Sequence, residues 1–276
     1  MHIVVFTGGD FPAPHLAEAY VSAHKADYVI AADSGLLAFE AYNAHFCGAF
    51  GKNGAPDAIL GDMDSLAAKN AADKLKAYPT GIVQTFIEDK DYTDTELALE
   101  AAHKRLSDCA SGEANWITLI GAGGGQRADH FLAVFDIFST RLRPDVWLSG
   151  DQSLWHAPHG SSFSIRGLGL RDMISLARTT ASRTGGNLYS EGLFWEYGGF
   201  RKEGMPSISN RISPAYFESG KPVKIEARAG NFVLILPTKA SVTRSGCERD
   251  SPAQVRLIPQ GKQVNRAGKN GKGKGD

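Results

Sequence analysis

Apolar and polar positions alternate along the first 150 residues in two rhythms. Ile3–Phe6, Tyr28–Ala32, Ala58–Leu60, Ile82–Phe86, Trp116–Ile120 and Val146–Leu148 are short apolar runs, the pattern of strands inside a sheet. Between them lie stretches with helical spacing. These are the polar, alanine-rich Ala17–Lys25, then Thr95–Leu106 with Leu97, Ala98, Ala101, Ala102 and Arg105 at helix-like intervals, then Asp129–Thr140. Strand and helix patterns taken in turn predict a mostly parallel sheet flanked by helices. After about Gly150 the rhythm changes. Ser162–Ile165, Met173–Leu176, Val223–Ala227 and Asn231–Leu236 are short apolar stretches set among Gly, Ser and Pro, and long helical patterns are missing. That texture predicts an all-β unit, a sandwich or small barrel.

The expected architecture is an α/β parallel-sheet (Rossmann-like) domain over residues 1–150 and an all-β sandwich over 151–240. A tail follows over 241–276, disordered toward its end, where Gly261–Asp276 is rich in Gly, Lys and Asn. Composition narrows the function more by exclusion. Lys plus Arg and Asp plus Glu each number 30, which gives no support for nucleic acid or an acidic membrane as the main partner. Cys47, Cys109 and Cys247 are far apart and form no CxxC pair, so neither a disulfide framework nor a structural zinc site is expected. No apolar run reaches membrane-spanning length and no basic leader precedes the first strand, so the expected location is cytoplasmic.

Three constellations carry candidate chemistry. Gly61-Asp62-Met63-Asp64-Ser65 follows a strand, and residues two apart on an extended chain point the same way. Two carboxylates so placed make a hard oxygen site of the kind magnesium prefers, although Gly and Asp also suit a plain turn. Asp89-Lys90-Asp91-Tyr92-Thr93-Asp94-Thr95-Glu96 contains a capping box in Thr93 and Glu96, which leaves the crowding of Asp89 and Asp91 unexplained. Gly121-Ala122-Gly123-Gly124-Gly125-Gln126-Arg127-Ala128-Asp129-His130 joins a strand to a helix; glycines and a helix start favour phosphate, and Arg127 adds a fixed positive charge. Gly8 and Gly9 after the first strand, and Asp33-Ser34-Gly35 after the second, lie at further strand ends, where open sheets bind ligands.

In this order the motifs resemble those of the thiamin pyrophosphokinase family: Ala32-Asp33-Ser34-Gly35, Gly61–Ser65, Asp89–Asp94 and Gly124–His130. Shorter matches follow, with Glu191-Gly192-Leu193-Phe194-Trp195 similar to the family's Gly-Leu-x-Trp segment, Ser209-Asn210 to its Ser-Asn pair, and Gly230–Leu236 to its closing strand. The chain departs at Ser34 and Gln126, where the family commonly has glycine. The resemblance implies a homodimer with active sites between subunits. It implies transfer of the pyrophosphoryl group of ATP to the hydroxyl of thiamin, giving thiamin diphosphate and AMP, with Mg2+ as cofactor.

On that reading Asp62, Asp64 and Asp94 are the metal ligands. Gly8, Gly9, Asp33, Ser34, Gly35, Ser65, Gly123, Gly124, Gly125, Arg127 and His130 bind nucleotide. Lys90, Asp94, Asp129, Trp195, Ser209 and Asn210 bind the acceptor, and Asp91, Arg127 and Asp129 are catalytic, with Asp91 and Asp129 both open as the base. Alternatives are a related pyrophosphokinase acting on another acceptor such as 6-hydroxymethylpterin, a non-catalytic nucleotide-binding module, and a metal-dependent phosphatase or nucleotidyl transferase.

Overall fold

The early strands are apolar along their whole length because both faces of their sheet are covered. The computed structural model describes residues 1–86, 92–109, 115–123, 128–180 and 185–246. Its strands are β1 (His2–Phe6), β2 (Tyr28–Ala32), β3 (Ala58–Gly61), β4 (Val83–Thr85), β5 (Trp116–Ile120), β6 (Val146–Ser149), β7 (Gln152–Ala157), β8 (Ser162–Arg166), β9 (Ile174–Arg178), β10 (Asn187–Glu191), β11 (Ser207–Asn210), β12 (Val223–Ala229), β13 (Phe232–Pro237) and β14 (Ser241–Ser245). The helices are α1 (Glu18–Ala23), α2 (Gly35–His45), α3 (Asp64–Ala68), α4 (Asp94–Ser107), α5 (Ala128–Ile137) and α6 (Pro214–Ser219).

One sheet has ten strands in the order β11-β9-β13-β7-β6-β5-β1-β2-β3-β4. Strands β1 to β6 pair in parallel. On one face Val4, Phe6, Val29, Ala31 and Ile59 pack with Leu36, Phe39 and Tyr42 of α2. On the other, Ile3, Val5, Ile30 and Leu60 pack with Ala98, Leu99 and Ala102 of α4. The element α2 is absent from the sequence expectation. Its buried positions, Gly35, Leu36, Ala38, Phe39 and Tyr42, do fall on one stripe, but Leu37, Ala41 and Ala44 on the opposite side leave little of the apolar–polar contrast by which α4 is legible.

At Gly150 the chain turns and β7 pairs antiparallel with β6, so the sheet continues through β7, β13, β9 and β11 without a break. The change of texture at this point marks a switch from parallel to antiparallel pairing inside one mixed sheet. The second sheet, β10-β12-β8-β14, covers one face of this antiparallel part. Phe163, Ile165, Val223, Ile225, Ala227 and Val242 meet Trp155, Ile174, Leu176, Phe232, Leu234 and Leu236 at the two-residue period of facing strands, while Leu154, Ala177 and Val233 pack on the other face of the large sheet. Ser241–Ser245, grouped in the sequence with the tail, pairs with β8 as β14. Residues 247–276 lie outside the described residues. No helix among the described residues is long and apolar enough to cross a membrane.

At the edge of the sheet where β1 and β5 begin, a buried polar network ties the layers together. His2 Nε2 meets Thr118 Oγ1 at 2.8 Å, Tyr20 Oη lies on the same hydroxyl, and Trp116 Nε1 donates to Tyr20 at 3.1 Å. Burial pushes His2 down to about 4, partly offset by its bond to the Lys25 carbonyl; burial also lowers His24, stacked between Tyr20 and Trp116. A histidine neutral in the fold but ordinary when unfolded stabilises fully above pH 6.5. That contribution is lost as pH falls from 6.5 toward 4 and changes no further below. His2 alone accounts for about 2–3 kcal/mol between pH 7.5 and 4.5. Urea unfolding at the two pH values checks it: a His2→Asn variant loses less stability over this range than the wild type by that amount.

Candidate active site

The sheet order places the switch of direction between β1 and β5, which is where open α/β sheets form a ligand crevice beyond the strands' carboxyl ends. The glycines predicted there are in contact. Ala122 N donates to Gly8 O at 2.6 Å and Asp10 N to Gly123 O at 2.8 Å. A Cβ on Gly35 would stand 2.3 Å from Phe6 O, and one on Gly121 would stand 2.2 Å from Thr7 O. Only glycine lets these loops approach so closely. Ser34 is buried beside Gly8, at the start of α2. Thr7, which sequence reading passed over, bonds through its hydroxyl to Thr95 at 2.8 Å and ties the end of β1 to the first turn of α4.

One strand further out the carboxylates gather. Asp33, Asp62, Asp64 and Asp94 each offer an oxygen, and these all lie within 4.8 Å of one another. Each arrives from a different element end. Asp33 follows β2 with φ of 45° and accepts the Leu66 N–H at 3.0 Å. Asp62 follows β3; Met63, at φ of 67°, turns the chain so that Asp64 begins α3. Asp94 begins α4, where the capping box is formed: Glu96 N donates to Thr93 Oγ1 at 3.2 Å and Thr93 N to Glu96 Oε2 at 2.9 Å. That box accounts for Thr93 and Glu96 structurally and leaves Asp94 to the cluster. Ser65, expected at the nucleotide, donates its hydroxyl to Asp64 Oδ1 at 3.1 Å.

These residues suit magnesium. It takes oxygen donors, carboxylates foremost, and four carboxylates held so close repel one another unless a cation lies among them. Gly61 gives a second sign. Its φ is 138°, and a Cβ there would stand 3.1 Å from Asp33 Cβ and 3.3 Å from Asp94 Oδ1, so any side chain would intrude between these two aspartates. Asp33 was expected at the nucleotide; the structure groups it with the three aspartates expected at the metal. The available signal was its place directly after a strand, like that of Asp62.

Asp129 and His130 are exposed on the first turn of α5. Lys90, Asp91, Gly124, Gly125 and Arg127 lie outside the described residues. Of the acceptor candidates, Asp94 belongs to the carboxylate cluster, whereas Trp195, Ser209 and Asn210 stand apart from it. Trp195 is half exposed, beside Phe194, and the Arg211 guanidinium lies 4.2 Å from the Phe194 ring centre and 5.4 Å from that of Trp195. Asn210 ends β11, which lies seven strands from β2, roughly 34 Å across the sheet at about 4.8 Å per strand. A cavity of about 550 Å³ near this end, lined by Arg178, Tyr197, Phe200, Arg201, Pro206 and Phe232 among others, contains none of the residues assigned a site role from the sequence.

A mixed sheet covered by helices, with a glycine-lined crevice and four aspartates beyond the ends of its parallel strands, has the build of a kinase-type enzyme. The family profile "Thiamin pyrophosphokinase, catalytic domain" matches residues 21–146. Over this segment the chain matches the thiamin pyrophosphokinase family. Among solved structures it is similar to a thiamin pyrophosphokinase family protein of Enterococcus faecalis (TM-score 0.58, 19% identity, 86% of this chain and 99% of that one). The thiamine pyrophosphokinase of Bacillus subtilis gives the same figures, TM-score 0.58, 19%, 86% and 99%. The yeast enzyme follows at TM-score 0.52 and 13% identity, over 85% of this chain and 84% of that one. At these identities the likeness is one of fold. A search of curated proteins gives no match.

Proposed function

We propose that this chain is a thiamin pyrophosphokinase, which moves the pyrophosphoryl group of ATP to the hydroxyl of thiamin and releases AMP. The observation that carries the proposal is the four-aspartate cluster beside the glycine crevice at the switch of the sheet. Asp33, Asp62, Asp64 and Asp94 would hold magnesium, which neutralises charge on the triphosphate during transfer. Gly8, Gly9, Ser34, Gly35 and Gly123 of the crevice, together with Gly124, Gly125, Arg127 and His130 of the same motif, would bind the nucleotide, with its phosphates toward the aspartates. The hydroxyl must be aimed at the β-phosphorus, so the site works mainly by positioning. Asp129 or Asp91 would take its proton, and Lys90 would lie near the acceptor.

Trp195 and Ser209 would receive the acceptor ring. Seven strand spacings separate them from Asp33, far more than one small molecule spans, so a complete site combines the cluster of one chain with the Trp195 region of a second. Exposed Phe131 and Leu132 on α5, and Phe194 and Ile208 near Trp195, are the apolar surfaces such a dimer would cover. A cytoplasmic setting belongs to the same proposal.

One observation favours a second acceptor class. A guanidinium already rests on the Phe194 and Trp195 rings, and a cationic ring stacked on that face would meet a like charge. An uncharged 6-hydroxymethylpterin would not. Supplying ATP and magnesium with thiamin or with the pterin, and weighing which acceptor gains a pyrophosphoryl group, decides between them. The proposal expects thiamin; a pterin product alone overturns the thiamin assignment and keeps the chemistry.

A further inference from the structure

We infer that Asn210 is a positioning residue of the acceptor site: it holds the main chain of Trp195 in place and does not touch the acceptor itself. The inference rests on the reading of Trp195 as the acceptor's stacking surface. Asn210 is fully buried, and its amide is already saturated. Oδ1 accepts the N–H of Trp195 at 3.1 Å and that of Arg211 at 2.9 Å. Nδ2 donates to the carbonyl of Trp195 at 2.8 Å and to Ser207 Oγ at 3.1 Å. An amide side chain offers two N–H groups and an oxygen with two lone pairs, and all of these are engaged within the chain. Of the Ser-Asn pair singled out in the sequence, only the exposed Ser209 is open to a ligand.

Both polar main-chain atoms of Trp195 therefore end on one buried side chain. The rest of the segment is fixed in the same way. Glu196 accepts the Gly192 N–H at 2.7 Å on Oε1 and the Ser190 hydroxyl at 2.5 Å on Oε2. Phe194 N donates to Arg211 O at 2.8 Å, and Ser213 N to Gly192 O at 2.9 Å. Gly192, at φ of 96°, lies where a Cβ would stand 2.4 Å from the Tyr216 ring. This main chain is anchored along its length, yet Phe194 and Trp195 leave 45% and 49% of their surface exposed. The Arg211 guanidinium covers part of these rings and leaves the rest open, and a fixed backbone presenting them is a preorganised stacking surface, which saves the ordering cost of binding.

The test combines steady-state kinetics with Trp195 emission, taken as the difference between each protein and its Trp195→Phe counterpart. Asn210→Ala is expected to raise the acceptor KM about tenfold, the effect of a displaced binding group, with kcat and the KM for ATP nearly unchanged. Trp195 emission should shift and become easier to quench. Added to Trp195→Ala, the Asn210 change should have little further effect, because it acts through the indole. Should the alanine variant not fold, Asn210→Asp keeps both accepted bonds, loses the two donated ones, and is expected to move the same quantities the same way.

Effects of Asn210→Ala and Trp195→Ala that multiply would overturn the inference in favour of direct contact. A fall in kcat and melting temperature with the acceptor KM unmoved would overturn it in favour of a purely structural role. If Trp195→Ala itself leaves the acceptor KM unchanged, the acceptor reading fails and the inference fails with it. An unaltered Trp195 emission in Asn210→Ala would instead sink the inference while leaving that reading intact.

Discussion

Asp64→Asn is expected to lower turnover about 100-fold or more, and at the same time to raise the melting temperature of the metal-free protein. The first effect follows from the site. A metal ligand on a transferring phosphoryl group contributes several kcal/mol to the transition state, and an amide carries no charge to hold the ion. The second follows from like-charge repulsion among Asp33, Asp62, Asp64 and Asp94, whose oxygens lie within 4.8 Å of one another. Relief of about 1 kcal/mol corresponds to about 2–4 °C for a chain of this size. The fold should survive, because Asn Oδ1 can still accept the Ser65 hydroxyl that Asp64 Oδ1 accepts at 3.1 Å. Magnesium should raise the wild-type melting temperature and leave the variant's almost unmoved. Melting curves with and without the ion, beside turnover, check all of this; a variant that is less stable and still active removes Asp64 from the metal site.

Mixing two defective proteins should restore activity at low acceptor concentration. If each site takes its carboxylates from one chain and Trp195 from another, Asp64→Asn turns over little at any concentration and Trp195→Ala turns over little when the acceptor is far below its raised KM. After subunit exchange, half the dimers are mixed and one of their two sites is intact, so about a quarter of wild-type activity returns. The proposed dimer, which rests on the separation of the two groups across the ten-stranded sheet, predicts this. Recovery that follows exchange, measured after incubating the two at equal concentration, is the expected result. No recovery in a mixture shown to contain mixed dimers would mean that one chain supplies the whole site.

How much of this was legible in the sequence depended on whether a feature has a period or a fixed spacing. The parallel strands showed as apolar runs, and α4 showed through its period and its Thr93–Glu96 box. The element α2 did not, because Leu37, Ala41 and Ala44 opposite its buried stripe leave little contrast between the two sides. The continuity of the sheet through Gly150 was hidden as well, since antiparallel strands covered on both faces look locally like strands of a separate sandwich. Asp62 and Asp64 were readable as a pair from spacing, and the family resemblance added Asp94; Asp33 joins them through the pairing of β2 with β3, which is a tertiary fact. Asn210 was singled out but given direct contact with the acceptor. Its burial and its four internal bonds follow from the fold of β11 against the 192–196 segment, and no motif carries that information.

The most direct test of the central claim is the nucleotide product formed from ATP and magnesium, with and without thiamin. The account predicts thiamin-dependent AMP, matched mole for mole by thiamin diphosphate, and its loss when magnesium is chelated. Formation of ADP, or of AMP at the same rate without any acceptor, would contradict it.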